Sequence, residues 1–113
     1  MDMIGKNLER EEEPQQQITE RLCDKAFSAF IDHDEKHFCK IYREIYDKVG
    51  SRFSWKPQRG NREELGAWLM LDEWLATAHD YLLGNGRNGT YGYDELLHEY
   101  AKVQKTLTET GLI

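Results

Sequence analysis

Several kinds of residue and pattern are scarce in this chain, and each shortage removes a class of protein. No stretch approaches the roughly 20 consecutive apolar residues that a membrane-spanning helix needs, so no membrane span is expected. Positive charge is in deficit: 15 Lys and Arg stand against 21 Asp and Glu, a formal net charge of −6. A protein that holds nucleic acid through its phosphates shows the opposite sign, so no nucleic-acid partner is expected, and an anionic lipid surface is disfavoured on the same ground. Cysteine occurs only at Cys23 and Cys39. The first residues do not read as a signal peptide, so the expected setting is a reducing intracellular compartment, cytoplasmic or nuclear, with both thiols free. The sequon Asn88-Gly89-Thr90 would then stay unmodified. Proline occurs twice, which leaves most of the chain free to form helix.

Apolar residues make up 39% of the 113 positions, which is low for a folded chain. Three Trp, six Tyr and four Phe nevertheless supply the bulk for one core. Residues 1–17 read as a disordered acidic tail with few apolar groups to offset ordering entropy. Its five acids and two bases carry −3, half of the net charge. The remainder, 18–113, reads as a single helical domain.

Within that domain four segments show an apolar period of about 3.6. A first helix is expected over 19–31, with Leu22, Ala26, Ala29 and Phe30 near one face and Thr19 or a nearby acid at its start. A second, over 35–49, carries Phe38, Ile41, Tyr42, Ile45 and Val49, with Asp34 as N-cap and Gly50 as the terminating glycine. Residues 51–60 form a linker, interrupted by Pro57 and Gly60 and anchored by Phe53 and Trp55. Its basic group Arg52, Lys56, Arg59 and Arg62 reads as a solvated face. A third helix, 62–83, presents Trp68, Leu71, Leu75, Ala78 and Leu82, with His79 alongside. The run Ala67-Trp68-Leu69-Met70-Leu71 makes it apolar nearly all round, so it either lies at the centre of the core or shares a face with a partner. A glycine-rich turn leads to a fourth helix, 93–108, built on Tyr93, Leu96, Leu97, Tyr100, Val103 and Leu107. The fold class is all-α, four helices in two helix–loop–helix pairs.

The stretch Gly89-Thr90-Tyr91-Gly92-Tyr93-Asp94-Glu95 resembles the second half of a calmodulin-type EF-hand loop. With Gly84 as position 1, the turn glycine falls on Gly89, the bridging apolar residue on Tyr91 and the closing glutamate on Glu95. Ala26-Phe27-Ser28-Ala29-Phe30 is similar to the end of an entering helix, and residues 38–49 to an exiting helix of small plant EF-hand proteins. The resemblance implies a degenerate EF-hand pair and, as calcium ligands, Asn88, the Thr90 carbonyl and Glu95. Of positions 1, 3 and 5, where the family has aspartate or asparagine, only the last conforms, with Asn88; Gly84 and Gly86 stand at the other two, which implies weak or absent calcium binding. It also implies a protein partner, an amphipathic helix received in a groove of Trp68, Met70, Leu71 and Trp74.

Two other readings remain open. The chain is alternatively a structural helical-bundle adaptor unrelated to EF-hands. It is alternatively a small zinc protein, with Cys23, His33, His37 and Cys39 as ligands, although no close Cys-x-x-Cys pair is present. No spacing suggests a nucleophile held by a base and an orienting third group, so catalysis is not expected. The loop at 84–89 lacks both the Gly-Lys-Ser/Thr ending and the preceding strand of a phosphate-cradling loop.

Overall fold

The computed structural model describes residues 14–51, 62–84 and 92–113. Helix α1 spans Gln15–Ile31, α2 Glu35–Ile45, α3 Arg62–Gly84 and α4 Tyr93–Glu109, and a π-helical turn, Tyr46–Gly50, continues α2. No strand occurs among the described residues, so the all-α expectation holds. Residues 1–13 of the expected tail, the linker at 52–61 and the loop at 85–91 lie outside the described residues; Gln15, Gln16 and Gln17, assigned to that tail by their polarity, are helical.

Helix α1 begins earlier than its apolar pattern suggests. Pro14 stands just before it at φ −55°, an angle that suits a helix start. Gln15 and Gln16 are helical because their side chains are useful: one donates to the Lys48 carbonyl at 3.0 Å, the other to the Gly111 carbonyl at 2.9 Å. Thr19 is no cap. It is buried, and its hydroxyl donates to the Gln15 carbonyl one turn back.

Only Asp32, His33 and Asp34 separate α1 from α2. His33 adopts the left-handed conformation, φ 56°, which lets Asp34 N–H reach the Ala29 carbonyl and His33 N–H the Phe30 carbonyl. This is the Schellman arrangement, with histidine where glycine is usual. Asp34 then caps α2 as expected, its carboxylate accepting from His37 N–H at 3.2 Å. Helix α4 ends the same way through Gly111, φ 83°, and Leu112 folds back into the core.

The most extensive helix contacts join α1 to α2 and α3 to α4, and α3 also packs on α2. The core draws on all four helices: Leu22, Ala26 and Phe30; Phe38, Ile41 and Ile45; Leu71, Trp74, Leu75 and Ala78; Leu96, Tyr100, Val103 and Leu107. Trp74 is at its centre. Its ring meets Phe30 edge-on at 5.5 Å and lies near Phe27, Phe38 and Tyr100, while Nε1–H donates to the Leu96 carbonyl at 2.8 Å.

Gly50 differs from its expected role. The π-helical turn buries it, with Val49, against α3, and no left-handed backbone is involved. A Cβ there would come within 2.6 Å of Trp68 Cζ2. Glycine is required for close approach of the indole. An open helical site gains about 1 kcal/mol from Gly→Ala, but overpacking a well-filled site costs about 1–3 kcal/mol. Gly50→Ala should therefore lower the unfolding midpoint in urea. A midpoint that rises instead would mean that the Trp68 ring does not rest on this glycine.

Candidate functional site: a polar seam between α2 and α3, and a depression between α3 and α4

Helix periodicity places Glu35 and Cys39 one turn apart on α2, and the packing of α3 brings His79 against both. His79 Nε2 lies 2.9 Å from Glu35 Oε2, both side chains partly buried. The potential ligand atoms of Glu35, Cys39 and His79 all lie within 4.8 Å of one another. The imidazole is held from two sides, stacked on Phe38 (6.1 Å, 9°) and edge-on to Tyr42 (5.9 Å, 74°). Beside it opens a depression of about 300 Å³ lined by Cys39, Tyr42, Arg43, Tyr46 and His79.

The seam continues along the helices. The Tyr46 hydroxyl hydrogen-bonds Asp72, which raises its pKa above the ordinary tyrosine value. Burial, aided by the Asp72 charge, pushes Tyr42 up to about 12. Asp72 Oδ1 is buried without a hydrogen-bond partner among the described residues. Polar groups buried at a helix interface fix the register of the two helices only when paired, and this seam is mostly paired.

The second feature is a small depression of about 80 Å³ between α3 and α4, lined by Met70, Glu73, Trp74, Thr77, Leu96, Glu99 and Val103. Its floor is apolar and its carboxylates come from both helices. Met70 is 37% exposed and its neighbour Leu69 53%.

Of the residues expected to form a partner groove, Trp68, Leu71 and Trp74 are buried in the core, and Met70 alone is exposed. The all-round apolar character of α3 has its explanation in a central position. Of the expected calcium ligands, Asn88 and Thr90 lie outside the described residues. Glu95 is described, and it serves the helix start. Its Oε1 accepts from Gly92 N–H at 2.7 Å, the backward half of a capping box at the start of α4.

The four expected zinc ligands are dispersed. Cys23 is buried at 2% exposure in α1, His33 stacks on Tyr93 at 5.3 Å, and His37 stands beside Asp34. Among the described residues the single cluster of three potential metal ligands keeps Cys39 and replaces the rest with Glu35 and His79. Glu35 and Cys39 show the helical i, i+4 spacing in the sequence; His79, 44 residues from Glu35, has no local signal pointing to them.

No family model, curated protein or solved structure matches the chain. No helix among the described residues is long and apolar enough to cross a membrane.

The two thiols differ sharply. Burial, with the charges of Asp24 and Glu20 adding to it, pushes Cys23 from an ordinary 9.0 up to about 12, whereas Cys39 is half-buried at the depression. A disulfide-exchange reagent at neutral pH should label Cys39 promptly and Cys23 only on unfolding; equal rates would contradict the packing of α1. Cys23 and Tyr42 both keep their protons more tightly folded than unfolded. Their contribution is full below about pH 9 and should be lost as pH climbs toward 12, read as a falling unfolding midpoint.

Proposed function

We propose that this chain is a non-catalytic, protein-binding helical domain that takes a basic amphipathic helix at the α3–α4 depression. The observation that carries it is the composition of that surface. Exposed Met70 offers the apolar contact, seated over the buried side chains of Trp74, Leu96 and Val103, and Glu73 and Glu99 contribute carboxylates. Such a surface matches an apolar anchor flanked by lysine or arginine, the helix-in-groove mode of recognition. The unbridged thiols favour a reducing intracellular setting, cytoplasmic or nuclear.

A degenerate EF-hand pair is the scaffold we favour. In its support, the α1–α2 turn meets the residues that flank the α3–α4 connection: His33 lies against both Tyr81 and Tyr93. The paired helices are thus joined loop end to loop end. The competing reading, a helical-bundle adaptor without EF-hand ancestry, draws on the brevity of that turn, since three residues are far fewer than the 12 of a calcium loop. An up-and-down bundle also places these two connections at one end.

Peptide titration followed by NMR tests the binding surface. A synthetic amphipathic helix with leucine anchors and flanking lysines should shift the Met70 methyl and the Glu73 and Glu99 amides, with affinity weakening as salt is added. Absence of any shift at millimolar peptide would sink the proposal, as would equal binding of a version with glutamate in place of lysine. Calcium addresses the scaffold. A weak site should move the Gly92 and Glu95 amides at millimolar calcium, because the ion would compete for the carboxylate now capping α4. No response removes calcium regulation from the proposal and leaves peptide binding standing.

A further inference from the structure

We propose that Glu35, Cys39 and His79 bind one zinc-class divalent ion, with a fourth coordination position open to the depression lined by Tyr42, Arg43 and Tyr46. Three observations converge. The donor set combines a carboxylate, a thiol and an imidazole, whose atoms lie within 4.8 Å of one another. Thiolate and imidazole select zinc or cobalt over calcium and magnesium, which take oxygen. The donors also sit on two packed helices: Glu35 and Cys39 one turn apart on α2, His79 on α3.

The geometry needs little adjustment. Tetrahedral bonds of about 2.0–2.3 Å separate ligand atoms by about 3.3–3.8 Å. The His79 Nε2 to Glu35 Oε2 distance of 2.9 Å would open slightly, and the thiol would close by up to about 1 Å. The ring is already oriented by Phe38 and Tyr42. Coordination uses the Nε2 lone pair, so the metal-bound neutral ring carries its single proton on Nδ1; any proton held at Nε2 or on the Glu35 carboxyl leaves to solvent, as does the Cys39 thiol proton when the sulfur–metal bond forms. Coordination therefore weakens as pH falls.

Three protein ligands leave one position for water or an incoming donor, as in zinc sites that exchange ligands. Cys39 and His79 both line the aromatic depression that also holds Tyr42, Arg43 and Tyr46, so an ion on them would have its open position accessible from there. The ion would also tie α2 to α3 and raise the stability of the whole chain.

The experiment uses the full chain, reduced and stripped with a chelator, titrated with zinc and with cobalt. One equivalent should bind, with a thiolate-to-cobalt charge-transfer band, the strong visible absorption of tetrahedral cobalt and a raised melting temperature. Glu35→Gln, Cys39→Ser and His79→Gln should each weaken binding at least about tenfold, in the range seen when ligand shells are disturbed. His37→Gln, at an exposed histidine outside the cluster, should leave it unchanged. Circular dichroism of the metal-free variants separates lost ligation from lost folding; should His79→Gln unfold, Glu35→Gln and Cys39→Ser carry the test. A wild-type chain with no thiolate band, a band that survives Cys39→Ser, or binding abolished by His37→Gln would each overturn the assignment.

Discussion

Trp74 is where the helices meet. Its ring touches α1 through Phe27 and Phe30, α2 through Phe38 and α4 through Tyr100, and its indole N–H is committed to a backbone carbonyl of α4. One side chain therefore carries both dispersion contacts and a directional bond across the core. Removing a buried aromatic of this size costs about 3–5 kcal/mol, against a total stability of about 5–15 kcal/mol for a typical domain. The hydrogen bond adds specificity: it fixes how far α4 is advanced along α3, and with it the positions of Glu73 and Glu99 beside the depression.

Around this apolar centre the α2–α3 contact is built differently. Glu35, Cys39, Tyr42 and Tyr46 face His79 and Asp72, so that interface is polar at several levels. Burying such groups repays its desolvation only where partners are present. His79 with Glu35 satisfies that condition, whereas Asp72 meets the exposed Tyr46 while its buried Oδ1 has no partner among the described residues. This is also where titratable chemistry concentrates, while the α3–α4 side offers an apolar floor with carboxylates. The molecule therefore has two faces of different chemical character, both dependent on α3.

Much of the fold is legible in the sequence because it follows from a 3.6-residue period. The pattern Phe38, Ile41, Ile45 and Val49 locates α2, and Asp34 marks its start by the capping rule. The end of α2 is less legible: Gly50 resembles a terminating glycine, yet its reason is Trp68, a residue on another helix. Trp68, Leu71 and Trp74 pass for groove residues because a helix apolar all round does not reveal which side its neighbours cover. The candidate metal ligands illustrate the same limit. Local proximity groups Cys39 with His37 and His33, whereas helix packing groups it with His79. Glu95 shows a third kind of ambiguity, since the glutamate that closes an EF-hand loop and the one that completes a capping box occupy the same place at the start of a helix.

The bond from Gln16 to the Gly111 carbonyl spans 95 residues of sequence in one contact. The start of α1 and the turn that ends α4 therefore share one corner of the helical body. A unit whose first and last helices adjoin in this way can be carried inside a surface loop of another protein without forcing that loop apart. By the same geometry its ends can be joined and the chain reopened elsewhere without changing the packing.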